Sequence, residues 1–193
     1  PGLGLDLDGW YAAEPAILRL LDAPEEDPRF TVAQLRDALA RATGRSLTTP
    51  DPARYQRAID VTLELLATAV QPLVRTSDDP RDAQARQTLA SLEQARTNPP
   101  APLAPEACAY LNRILLAQVH GRLFHRLGGL PRALGLLLVE TRMARAASND
   151  GRSLDAAQLA VVLVPWWSLA GHGAVVAALR MAAPTLEDLF IHA

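Results

Sequence analysis

Proline and glycine punctuation constrains this chain more than any other feature of its sequence. Segments rich in Ala and Leu, each long enough for a helix, open at prolines and close at glycines or polar clusters. Pro15 lies in the first turn of the pattern Glu14–Leu21, Pro50 opens a pattern running to about Ala69, Pro80 follows Asp79, and Pro131 follows Gly128-Gly129. At a helix start the missing N–H of proline costs nothing, because first-turn donors have no intrahelical partner. The stops are Gly44, Gly128-Gly129, Ser148-Asn-Asp-Gly151 and Gly171-His-Gly173. After Gly44 this punctuation predicts helices at about 50–69, 80–96, 105–127, 131–147, 154–170, 174–182 and 185–192, with Ser153 and Thr185 as start residues. Aromatic residues make up only 5% of the chain and β-branched runs are scarce, so helix dominates.

The segment from Glu14 to Thr76 carries an ordered series. After the short apolar helix Glu14–Leu21, Thr31 and Gln34 have capping-box spacing and Phe30 is placed to staple onto Leu35, which predicts a helix ending at Gly44. A third helix follows from Pro50, and Pro72-Leu-Val-Arg-Thr76 reads as a strand. The spacing of Ile17-Leu18, Leu35, Ile59 and Leu63, Leu65 and Leu66, ending in Leu73-Val-Arg75, resembles the winged-helix domains of ferric-uptake-type and related bacterial regulators. The resemblance implies that the third helix enters the major groove while nearby Ser, Thr and Arg hold phosphates. It makes Arg45, Thr48, Thr49, Arg54, Tyr55 and Arg57 the DNA-contact candidates, with Arg75 at the edge of the wing. The outward stripe of that helix, Arg54, Arg57, Asp60, Glu64 and Thr68, nevertheless carries as much negative as positive charge, whereas phosphate binding calls for a positive excess.

Composition narrows the function classes. The net charge is −2 over 193 residues, which excludes a globally basic nucleic-acid protein. Hydrophobic residues at 49% and charged residues at 21% are an ordinary globular balance. All 19 basic side chains are Arg, so any anion site here is an Arg site, with a permanently charged, planar fork of donors. Between Glu106 and Arg152 the balance turns positive: Arg113, Arg122, Arg126, Arg132, Arg142 and Arg145 stand against Glu140 and Asp150. Cys108 is the single cysteine, which excludes an intramolecular disulfide and fits a reducing, cytoplasmic interior; no secretory signal is recognisable.

Organisation follows the same punctuation. Thr97–Pro105 holds four prolines in nine residues and reads as an extended, semi-rigid linker. The expected domains are a winged-helix-like module at 10–77, a connecting helix and linker at 78–104, and a helical bundle at 105–193. No charged residue occurs from Ala156 to Leu179, yet Pro165 and Gly171-His-Gly173 divide this run into pieces typical of buried helices instead of a membrane span. Trp166 and Trp167 point to different sides of their helix, so one is expected in the core and the other half-exposed, at an interface or a cavity.

Signatures of catalysis are missing from the sequence. His120 and His125 are five apart, the wrong spacing for two rings on one helix face, and Cys108 and Glu140 complete no metal motif with them. No nucleophile elbow, phosphate-cradling loop or Glu-x-x-His signature occurs. The expectation is a mainly α, non-enzymatic protein without cofactor or metal, acting as a DNA-binding transcriptional regulator on double-stranded DNA and dimerising through its C-terminal helices. The alternative is a protein–protein adaptor or assembly subunit built on the same winged-helix-like fold.

Overall fold

The protein is described by a computed structural model. It covers residues 27–44, 49–75, 79–120, 129–147 and 154–193, together with Glu14, Pro15 and Leu18, which are helical. The rest of the first expected helix lies outside the described residues. The chain is mainly helical: α1 is Pro28–Thr43, α2 Pro52–Val70, α3 Pro80–Thr97, α4 Pro105–His120, α5 Leu130–Ala146, α6 Ala156–Ala170, α7 Gly173–Met181 and α8 Ala183–His192. No strand is present among the described residues, only an isolated parallel bridge between Leu103 and Leu154.

Aspartate followed by proline sets three of the helix starts. Asp27, Asp51 and Asp79 each accept backbone N–H groups of the first turn, with Pro28, Pro52 and Pro80 at the head of α1, α2 and α3. This moves the start of α1 three residues ahead of the Thr31 capping box. Thr31 is instead a buried interior residue, and Phe30 is 64% exposed and staples nothing. Gly44 closes α1 in the left-handed conformation, φ 62°, as a glycine stop should. Asp155 and Gln158 form a reciprocal capping box at the head of α6.

The expected strand at Pro72–Thr76 does not form within the described residues. Gln71–Leu73 is instead a single 3-10 turn continuing from α2, after which Val74 is extended and neither it nor Arg75 joins a ladder. Pro72 sits at the start of that turn, a position suited to its fixed φ and one that does not need its missing N–H.

A common core draws on all eight helices, from Val32 and Leu39 in α1 to Leu186 and Phe190 in α8. Segments on both sides of the proline-rich stretch thus pack together. That stretch is itself pinned: Ala101 N donates to Arg145 O at 2.8 Å, Ala104 N to Leu154 O at 3.2 Å, and Asn98 Nδ2 to Ala146 O at 3.0 Å. The centre is α5, almost wholly buried, with α8 packed along it and α2 against the other side of α8. α3 spans α2, α5 and α6, and α7 lies on α2. No single helix among the described residues is long and apolar enough to cross a membrane; α6 and α7 qualify only as a pair, bent by 95° at Gly171-His172.

Pro165 lies inside α6 and so cannot donate to the carbonyl of Val161, four residues back. Gln87 of α3 fills the vacancy, its Nε2 donating to Val161 O at 2.8 Å. A helix defect thereby becomes a tie between α3 and α6.

The tightest approach is α5 on α8. A Cβ placed on Gly135 would sit 2.1 Å from the backbone oxygen of Leu186, a contact that no side-chain adjustment relieves. Gly135→Ala is therefore expected to cost about 3 kcal/mol and to lower the thermal midpoint by roughly 6–12 °C for a chain of this size, as read by circular-dichroism melting.

Candidate functional site

Of the seven expected DNA-contact residues, the structure brings two together. Arg54 and Arg57, on the first two turns of α2, line a shallow open groove with Ala58 and Val61 of the same helix and Thr185 and Asp188 of α8. Arg54 Nη2 meets both carboxylate oxygens of Asp188, at 3.2 and 3.3 Å. Arg57 is exposed. The groove floor is fixed by Thr62 and Thr185, whose hydroxyl oxygens lie 2.8 Å apart; Thr185 donates to Ala182 O, so Thr62 donates to Thr185. The groove is therefore of mixed charge, with Ala58 and Val61 as its apolar part, and not a cationic cradle.

The other candidates disperse. Arg45 and Thr48 lie outside the described residues. Thr49 is exposed ahead of α2, while Arg75 lies past the far end of a helix about 28 Å long. Arg75 contributes a backbone oxygen that accepts from Arg86 Nη1 at 2.7 Å. Tyr55 turns inward and packs against the core, half-buried, where burial pushes its phenol pKa up.

Tyr55 leads to a second, interior polar cluster. Asp27, the cap of α1, binds Arg29 Nη2 at 3.1 Å and, from α5, Arg145 Nη1 at 2.8 Å. One turn from Arg145, Arg142 Nη2 donates to the carbonyl of Asn98 at 2.8 Å. Burial depresses the Arg142 pKa, with Arg145 acting in the same direction, and it raises that of the nearby Cys108 thiol. The positive excess read between Glu106 and Arg152 is thus partly drawn inside: Arg145 and Arg142 serve this cluster, and Arg132 Nε meets Glu187 of α8 at 2.7 Å. Arg113 is exposed, and Arg122 and Arg126 lie outside the described residues.

Glu140, also on α5, is 1% exposed and holds both tryptophans. Trp166 Nε1 and Trp167 Nε1 donate to its Oε1 at 2.9 and 3.1 Å. Trp166 is in the core and Trp167 half-buried against Tyr110, with ring centroids 6.4 Å apart. Adjacent positions on a helix diverge by about 100°, but two long indoles can still converge on one acceptor. No group of three or more His, Cys, Asp and Glu suited to a metal occurs among the described residues. His172 and His192 instead accept backbone N–H groups at helix starts, from Ala174 at 3.3 Å and Asp51 at 3.2 Å.

Asp27 gives a pH-dependent expectation. Burial alone would raise its pKa, but hydrogen bonds and charge from Arg29, with Arg145, outweigh burial and hold it below 3.8. A depressed folded pKa contributes stability above that value and loses it as pH falls through the folded one. Asp27→Asn keeps the helix cap and removes the charge. It should destabilise the protein at pH 7, with the difference from wild type narrowing in urea melts run below pH 3.8.

Comparison with family models, curated proteins and solved structures gives no match, so the site is read from its own geometry.

Proposed function

We propose that this chain is a non-catalytic assembly module that associates with a second copy of itself through α6 and α7. The observation that carries this reading is the outer face of α6. Val161 is 60% and Val164 49% exposed there, within a run from Ala156 to Leu179 that has no charged side chain. Exposed Ala157 extends this apolar centre, while Gln158, Ser168 and His172 give it a polar rim. A two-fold contact sets a face against itself, so an uncharged face meets its copy without like-charge repulsion.

The charge pattern of α2 supports the same reading over duplex recognition. Arg54 is engaged by Asp188, and Asp60 and Glu64 share the outward stripe with Arg57. A phosphate backbone rewards uncompensated cations, and a winged helix adds a strand pair that the described residues do not form. Mixed charge beside Ala58 and Val61 suits a protein surface.

Light scattering over a concentration series tests the proposal. The wild type should be a dimer, and Val161→Glu with Val164→Glu, at exposed positions that leave the core intact, should be a monomer of unchanged helical content. A wild-type monomer throughout, or a dimer indifferent to the two substitutions, overturns it. Anisotropy with labelled duplex DNA at low and moderate salt decides the competing reading. Steep salt-dependent binding that is lost in Arg57→Ala would replace the assembly module by a DNA-binding regulator.

A further inference from the structure

The interior cluster on α5 leaves donors with nothing to donate to. Arg142 uses Nη2 on the Asn98 carbonyl, but its Nε and Nη1 are sealed from solvent and meet no acceptor among the described residues; the same holds for Arg145 Nε. A guanidinium keeps its protons throughout the accessible pH range, so these nitrogens cannot become silent by deprotonation. Sealed donors in a folded protein are met by an acceptor from elsewhere, a water or an ion.

Charge chooses between the two. Arg145 is bound to Asp27, a partly buried carboxylate that also binds the exposed Arg29, while among the described residues no carboxylate is in contact with Arg142. Asp60, the other acid within electrostatic reach of Arg142, is exposed and accepts from Gln56. The half-buried Tyr55 phenol lies within electrostatic reach of the same guanidiniums. Burial lowers the Arg142 pKa, as expected for a cation short of counter-charge.

The geometry points to a binding site for one small oxyanion, a phosphate or a carboxylate, held by Arg142 and Arg145. The two arginines are three residues apart on α5, which sets both on the same side of the helix, and charge-assisted N–H donation from two guanidiniums suits an oxyanion. Their sealed position excludes a nucleic-acid backbone. The site stands independently of how the α6 face is covered.

Thermal unfolding of the dialysed full chain in chloride, inorganic phosphate and acetate at equal ionic strength is the test. Phosphate or acetate should raise the midpoint, by about 3–6 °C at ten times Kd, and Arg142→Gln should abolish the rise. A rise with phosphate alone marks a tetrahedral anion, and one with acetate alone marks a carboxylate. Equal midpoints in the three salts, or a rise that Arg142→Gln retains, overturn the proposal. Should that variant fail to fold, wild-type protein is titrated into phosphate and into labelled acetate while the ligand NMR linewidths are followed. Broadening of either supports the site, and unbroadened lines in both overturn it.

Discussion

The crossing of α5 and α8 at Gly135 is the constraint on which the remaining packing depends. With no Cβ at this point, the backbone of Leu186 can approach α5 directly. Close approach lets α8 lie between α5 and α2 as an internal strut, its apolar residues Leu186, Leu189 and Phe190 fully buried. The polar contacts of α8 then fall into place around its rim: Glu187 on Arg132, Asp188 on Arg54, Thr185 on Thr62, and His192 on the backbone of Asp51. Arg36 of α1 completes the set by donating to the carbonyls of Ile191 and Ala193, where cation and helix C-terminus attract.

A helix as buried as α5 would be expected to be uniformly apolar, yet it carries Glu140, Arg142 and Arg145. Each is bound by a group from a different part of the chain: the two indoles of α6, the Asn98 carbonyl after α3, and the cap residue of α1. Desolvating a charge is costly enough that such pairings are close to obligatory, and removing one partner of a buried pair typically costs about 3–5 kcal/mol. The charged residues of α5 thereby fix which segments pack on it, a specificity that Leu and Ala alone supply poorly.

Local chemistry explains what the sequence makes legible. Asp79-Pro80 and Gly44 mark helix limits because caps and left-handed glycines act within one turn of the chain, and the start of α3 and the end of α1 follow from them. Where two local signals compete, as Asp27-Pro28 does with Thr31, the pattern alone does not rank them. The strand expected at Pro72 misreads an apolar run that is too short to separate from a 3-10 turn. At the site, the adjacency of Arg54 and Arg57 is written in helical spacing. Asp188, which compensates Arg54, lies 134 residues away and leaves no trace near it. Tyr55 turns inward for the same reason: Arg142 and Arg145, within its electrostatic reach, belong to α5, and nothing beside Tyr55 in the sequence marks them.

The ties of α8 also bear on how fast the molecule assembles. Arg54 to Asp188, Asp51 to His192 and Arg36 to Ala193 close loops of 134, 141 and 157 residues. Helical proteins ordinarily fold quickly because their contacts are local, whereas here the strut is the last described helix in chain order and its ties are long-range. Until Leu186–Phe190 docks, the apolar sides of α2 and α5 that it covers stay exposed. Docking of α8 is therefore the step whose contacts carry the largest loop-closure cost, and it covers the apolar sides of α2 and α5.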